Sequence, residues 1–588
     1  MQFNGLEHKA QVTQKERAAT LMGRPEKIRL GEILLQQKLL TEEQLKAALE
    51  EQKRSGRKLG RIFIDGGFVT EGQIGVALAR QLQVPFINLK HFNIRPEVAT
   101  RLPETLARRF RAIVLEDAGA FYRVGMADPT DLFAFDEINR VLKREIQLAV
   151  VGESLLLQTI DRVYRRTEEI SGLALELGEE LGETTDFAAL GLTPGAEDAP
   201  VVKLLQSVFE DAVQVRASDI HIEPQEHKVL IRFRIDGMLH VQAEAESKIA
   251  SALTLRLKLM SGLDISERRL PQDGRFNVKV RNVQIDVRMS TMPTQHGESA
   301  VMRLLNQSGG VLGLDRIGLP KRLLDRLRSV IHRPSGMVLV TGPTGSGKTT
   351  TLYAALQELN TPERKIITVE DPVEYRLPGI NQVQIHEKID LTFSRVLRTA
   401  LRQDPDVILV GEMRDQDTVE TGLRAAMTGH MVFSTLHTND AVSTPIRLLD
   451  MGAPRYMVAM SLQVVVAQRL LRLVCESCAE DKPLDPAEHE WMRMQLGAMV
   501  DDRKFMRGKG CTQCNGTGYL GRTGVYEMLE MTRPVVEAAN QADPAVFVGV
   551  ARKQMAGETL RDHAVQLVAD GRTSVDEAMR ISSQADDA

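Results

Sequence analysis

Residues Gly342-Pro343-Thr344-Gly345-Ser346-Gly347-Lys348-Thr349 make a complete Gly-x-x-x-x-Gly-Lys-Thr loop, set between an apolar run at 337–340 and a helix-like stretch at 350–356. Glycines let such a backbone curl until several N–H groups point at one phosphate, and the helix that follows adds its positive dipole end. Lys348 would reach the β- and γ-phosphates, and the Thr349 hydroxyl is placed to ligate Mg²⁺, so the segment through Thr350 implies a bound Mg-nucleoside triphosphate. Three further apolar runs end on groups able to assist: 365–369 on Glu370 and Asp371, 407–410 on Gly411 and Glu412, 431–435 on Leu436 and His437. A carboxylate beside Mg-ATP can orient and deprotonate water, and an imidazole can contact the γ-phosphate, which makes Glu412, Glu370 and His437 the catalytic candidates. Ordinary strand-end polarity is the competing reading, and His430 could equally be a satisfied histidine at a strand start.

Cys475-x-x-Cys478 and Cys511-x-x-Cys514 hold all four cysteines of the chain. Two such knuckles suit tetrahedral Zn²⁺, and four thiolates leave no open position for water, so the site reads as structural rather than catalytic; disulfide or chance pairing is the alternative. The intervening stretch is accommodated if 491–499 forms a helix between the knuckles.

These groups need a frame. Strand-like runs at 337–341, 365–369, 406–410 and 431–435, each separated by a helical length, are the pattern of a parallel sheet with crossover helices, whose ligand lies at the carboxyl ends of the strands. Ahead of it, 199–306 opens with a helical pattern and continues as alternating strands such as 229–235. Between Leu175 and Asp198 there are seven Asp or Glu and no Lys or Arg, which reads as a solvated linker over 167–198. Near the N-terminus Leu30-Gly31 returns as Leu59-Gly60, an offset of 29 that also aligns Leu45 with Ile74, Ala48 with Ala77, Leu49 with Leu78 and Gln52 with Gln81. Thr41 and Gln44 form a capping-box pattern for the second helix of the first copy.

The loop at 342–350, the run 368–375 with Glu370-Asp371, the run 401–415 with Glu412, and the run 425–440 with His430 and His437 together resemble the Walker A, Asp, Walker B and His boxes of the secretion ATPases, more narrowly the assembly ATPases of type IV pili and type II secretion. The resemblance implies an α/β fold: a RecA-like P-loop core (311–471), preceded by a second N-terminal, PAS-like domain (199–310), an α/β subdomain (87–166) and a tandem-motif subdomain (1–86), and followed by a tetracysteine zinc module (472–530) and a helical region (531–588). It implies an ATP-hydrolysing homohexamer that drives an inner-membrane platform protein from the cytoplasmic face, with Lys348 and Thr349 on phosphate and Mg²⁺ and Glu412 as the catalytic carboxylate. Arg216, Arg232, Arg234 and Arg275 of the 199–306 unit become candidates to complete the nucleotide pocket, with solvated strand faces as the alternative. The copies 29–52 and 58–81 resemble the tandem cyclic di-GMP motif of some of these ATPases, implicating Arg29, Leu30, Gly31, Leu34, Leu45, Leu49 and Gln52 in the first copy, and Lys58, Leu59, Gly60, Leu78 and Gln81 in the second. Lys58 departs from the expected arginine, whose planar fork it cannot reproduce. The long tandem-motif N-terminus is most similar to the mannose-sensitive haemagglutinin (MSHA)-type branch, with type II secretion as the runner-up and a docking role for the repeat as the alternative to sensing.

Length and composition agree. At 588 residues and 43% hydrophobic the chain has room for about four domains. A net charge of −4 and 4% aromatic residues disfavour a nucleic-acid partner that relies on a global basic field, leaving a nucleic-acid translocase as a lower-ranked reading. No apolar stretch approaches ~18 residues and the first residues lack a signal-peptide core, so the expected location is cytoplasmic, peripheral to the inner membrane through partners.

Overall fold

The computed structural model describes residues 30–55, 59–164, 167–183, 199–280, 283–306 and 312–586. They form two compact units, one built by the chain up to Tyr164 together with Cys511–Gln513 and one by the rest of the chain. No helix among the described residues is long and apolar enough to cross a membrane.

In the first unit the sequence repeat becomes a structural one: α1 (Leu30–Gln36) and α2 (Glu42–Ser55), then α3 (Leu59–Asp65) and α4 (Glu71–Leu82). Both long helices open on reciprocal caps. Thr41 N donates to Gln44 Oε1 at 2.9 Å and Gln44 N to Thr41 Oγ1 at 3.2 Å; Thr70 and Gln73 repeat this at 2.8 and 3.3 Å. Each such cap contributes about 1 kcal/mol. The four helices close on one small core containing Leu34, Ala48, Phe63, Ile74 and Ala77. A Cβ at Gly31 would lie 2.6 Å from Leu45 Cδ1, so a larger residue there would displace the Leu45 side chain. A three-stranded sheet follows, β1 (Ala112–Asp117), β2 (Phe121–Met126) and β3 (Glu145–Val150), with β1 antiparallel and β3 parallel to β2.

The second unit begins where a linker was expected. Residues 167–183 are a helix, α5 (Thr167–Glu183), whose Ile170, Ala174 and Leu177 are buried with α6 (Pro200–Gln214). Glu176 and Glu179 are exposed on the same helix, so net charge alone hid an amphipathic pattern; residues 184–198 lie outside the described residues. A six-stranded antiparallel sheet then forms in the order β6-β5-β4-β9-β8-β7, from β4 (Asp219–Pro224), β5 (Lys228–Ile235), β6 (Met238–Glu246), β7 (Gln272–Val280), β8 (Val283–Thr294) and β9 (Gly297–Asn306), with α7 (Ile249–Met260) packed on it.

The nucleotide core is a seven-stranded sheet in the order β12-β11-β13-β14-β10-β15-β18: β10 (Gly336–Thr341), β11 (Ile366–Glu370), β12 (Asn381–Gln384), β13 (Val407–Val410), β14 (Met431–Leu436), β15 (Leu462–Val474) and β18 (Tyr519–Glu530). All neighbours are parallel except the β15–β18 pair. This is a RecA-like P-loop sheet, and its central strands are buried on both faces, as crossover connections require. The expected boundary at 471/472 falls inside β15. The tetracysteine segment is an insertion between two paired strands of the core sheet, carrying a short hairpin, β16 (Ala479–Asp481) with β17 (Met506–Gly508).

Candidate functional site

Adjacent parallel strands bring their carboxyl ends to one edge, so β10, β13 and β14 deliver the loop at 342–349, Glu412 and His437 to the same place. The loop runs into α8 (Lys348–Leu359), whose first residue is the lysine. Gly342 has φ 144°, and a Cβ there would sit 2.5 Å from Gln468 O, so no other residue fits. Lys348 Nζ folds back over the loop, donating to Gly342 O at 2.7 Å and Pro343 O at 3.2 Å, and lies 3.5 Å from His437 Nδ1. His437 Nε2 is 3.4 Å from Glu412 Oε2, and Glu412 also pairs with Arg414, which reaches Asp371 at 3.7 Å. Burial pushes the Lys348 ammonium down to about 8, with Glu412 acting in the opposite direction and Arg469 in the same one. Lysine, imidazole and carboxylate thus stand in a chain beside a phosphate-shaped loop. Thr349, Glu412 and Asp371 offer hard oxygen donors of the kind Mg²⁺ takes.

Glu370 is not part of that chain. It is 4% exposed, with Tyr353 and Thr368 donating their hydroxyls to it and Gln382 Nε2 donating at 3.2 Å. As the last residue of β11 its side chain falls on the side where Tyr353 of α8 packs, so it fastens the strand to the P-loop helix instead of meeting water. Burial and Glu374 push the Tyr375 phenol up, with Thr350 acting in the opposite direction. His430 Nδ1 lies 3.0 Å from Ala425 O and holds the turn into β14.

Of the four arginines expected to complete the pocket, Arg275 lines a cavity of 800 Å³ together with Asp371 and Arg414. Arg216 is exposed in a left-handed turn, Arg232 pairs with Glu223, and Arg234 lies 3.7 Å from Asp219 and donates to Gly237 O at 3.1 Å. The same cavity holds two arginines the sequence reading passed over. Arg288 donates to Glu374 Oε2 at 2.8 Å and to Val373 O, and Arg303 Nε pairs with Asp219 at 3.1 Å. Gln468 was missed too: it accepts from Thr351 Oγ1 at 2.7 Å and donates to Ser346 O at 2.6 Å, bracing the P-loop from β15. A Gln-Arg pair inside the apolar run of β15 was its available signal. On β18, buried Glu527 accepts from Ala441 N at 2.7 Å and from Leu560 N at 3.0 Å, joining the loop after His437 to the start of a helix at 560–569.

The sulfurs of Cys475, Cys478, Cys511 and Cys514 all lie within 4.8 Å of one another, with Cys478 and Cys514 at 3.8 Å. A thiolate tetrahedron at the Zn–S distance of about 2.3 Å has edges of about 3.8 Å, so the donor set fits zinc. Between the knuckles, where a helix over 491–499 was expected, α9 (Pro486–Leu496) begins five residues earlier and ends at Leu496. In the first unit, Leu30 and Gly31 begin α1, Leu59 and Gly60 begin α3, Leu34 is buried and Leu49 is 40% exposed. Leu45 and Leu78 pack partly buried against the same core as Leu34, and Gln52 and Gln81 lie on α2 and α4. Arg29 and Lys58 lie outside the described residues.

Comparison with known proteins adds the lineage. The model of the Type II/IV secretion system protein family matches residues 195–580, and that of the MshEN domain matches 82–170. The type IV pilus assembly ATPase PilB of Myxococcus xanthus is 40% identical over 567 residues, 94% of this chain and 98% of that protein. The type II secretion system protein E of Aeromonas hydrophila is 39% identical over 500 residues, 83% of this chain and 98% of that one. A solved structure titled "Structure of MshE with cdg" is 37% identical, covering 23% of this chain and 99% of that one at a TM-score of 0.22. The chain hydrolyses ATP with Mg²⁺, and it belongs to the type II/IV secretion system protein family.

Proposed function

We propose that the chain is a hexameric motor that powers assembly of a type IV pilus of the MSHA kind, acting on a platform protein at the cytoplasmic face of the inner membrane. The observation that carries the catalytic part is the row Lys348–His437–Glu412 beside the P-loop. In it Glu412 deprotonates the attacking water, His437 and Lys348 meet the γ-phosphate, and Thr349 holds Mg²⁺. Glu370, Arg288 and Arg275 position the loop that faces them. Relatives named for pilus assembly and for type II secretion stand at nearly equal identity, and the MshEN match favours the pilus reading. The tandem motif at 29–81 binds cyclic di-GMP in this reading; the MshEN match begins at residue 82, so for the motif itself the support is the repeat in sequence and in helices. The four cysteines hold one structural Zn²⁺. Glu412→Gln tests the catalytic assignment: ATP binding within about threefold of the parent and turnover lower by at least about 10²-fold are expected. Near-normal turnover would remove Glu412 as the base.

A further inference from the structure

Sheet pairing carries the chain only part of the way to Glu412. β13 is paired on both sides up to its last residue, Val410, with Val369 of β11 and Ser434 of β14, and there both ladders end. Glu412 lies two residues further on. Separate hydrogen bonds hold its flanks: Gly411 N donates to Val369 O at 2.7 Å, the Thr435 hydroxyl donates to Gly411 O at 2.7 Å, and Met413 N donates to Thr435 O at 3.3 Å. Thr435 therefore grips the residue before the carboxylate and the residue after it.

The grip is dry. Thr435 is 5% exposed, so if its hydroxyl were lost, water would not reach Gly411 O to replace it. Thr435 also belongs to β14, the strand that delivers His437, whose Nε2 stands 3.4 Å from Glu412 Oε2. One side chain thus ties the carboxylate to the strand that carries its imidazole neighbour. Ser434 supplies an internal comparison. Its buried hydroxyl makes the same kind of bond one residue earlier, to Val410 O at 2.7 Å, but Val410 is already fixed by pairing on both sides.

We infer that Thr435 is a positioning residue for ATP hydrolysis, whose hydroxyl sets where the Glu412 carboxylate stands without itself touching the nucleotide. The inference rests on Glu412 as the base, as proposed above. A general base must sit within hydrogen-bond reach of the water it activates, and a displacement of about 1 Å can cost about 10²-fold in rate. The P-loop holds the phosphates independently of this bond, so loosening it acts on the chemical step and spares binding.

The test is steady-state hydrolysis of Mg-ATP by the full chain. Thr435→Val keeps the side-chain shape and removes the donor; kcat about tenfold lower with KM within about twofold is expected, and Thr435→Ser should recover most of the loss. Ser434→Ala should lower Tm yet leave kcat within about twofold. In a Glu412→Gln background, Thr435→Val should change the residual rate little, because the group it places has lost its function. Should Thr435→Val fail to fold, Thr435→Ala must still fall about tenfold below Thr435→Ser. Parent-like kcat in Thr435→Val, equal kcat in the Ala and Ser variants, or equal losses in Ser434→Ala and Thr435→Val overturns the proposal. Near-normal turnover in Glu412→Gln alone would remove the base and this role with it, whereas a dead Glu412→Gln beside a parent-like Thr435→Val overturns the positioning role only.

Discussion

Lys348 sits half-buried among backbone carbonyls, and burial brings its pKa down to about 8. A triphosphate on the loop reverses the balance by placing anionic oxygens against the ammonium. The lysine must therefore take up a proton on binding wherever the free protein has lost it. Between about pH 8 and about pH 10 nucleotide affinity should fall as pH rises, accompanied by net proton uptake measurable by calorimetry in buffers of different ionisation enthalpy. Affinity that stays flat across that window would take Lys348 off the phosphates. At this scale the P-loop, Glu412 and His437 were legible, because each depends on a few contiguous residues. Glu370 was misread, since which way the last residue of a strand points depends on the helix packed over it, here through Tyr353. Arg288 and Arg303 were missed because neither neighbours a motif; their significance arises when β8 and β9 are laid side by side and meet the 371–374 loop.

Among elements, the insertion between β15 and β18 shows what a metal contributes. The strands pair over a long register on their own, so the sheet does not depend on the cysteines, whereas the 475–518 excursion is ordered by a short hairpin, one helix and the packing of Met492, Val500 and Phe505 on the core. Removing the metal, by a strong chelator or by Cys475→Ser, should release about one zinc per chain and leave the insertion open to protease. Far-ultraviolet circular dichroism of the rest should change little. Loss of zinc with collapse of the whole core would contradict this separation. The sequence displayed the four parallel strands clearly, as uninterrupted β-branched and apolar runs. It hid β15 and β18: one breaks its apolar run with Gln468-Arg469, and the other pairs with it across the entire insertion. Acidic residues likewise disguised α5, whose buried positions are spaced at helical intervals.

For the whole molecule, the repeat in the first unit gives a prediction that separates sensing from docking. Titration of cyclic di-GMP into the full chain should show saturable binding that Arg29→Ala abolishes, and Lys58→Arg should tighten it by about tenfold through a second planar fork. No binding in the parent protein would leave the helical repeat as a docking module. Cyclic di-GMP binding with an unchanged rate of ATP turnover would sever the sensor from the motor.

Glu527 has a mechanical consequence. One carboxylate oxygen holds the N–H of Ala441, four residues after His437, and the other holds the N–H of Leu560, the first residue of α10 (Leu560–Ala569). Burial raises the pKa of this carboxyl, and its two backbone donors offset that cost only while both stay in place. A shift of the histidine loop on nucleotide turnover must drag α10 along or strand a buried acid. The packing of α10 against α11 (Val575–Asp586) then passes the movement to the end of the chain. With His437 on the γ-phosphate, as proposed above, the C-terminal helices would be geared to it through Glu527, a crank whose throw is set by the length of a glutamate.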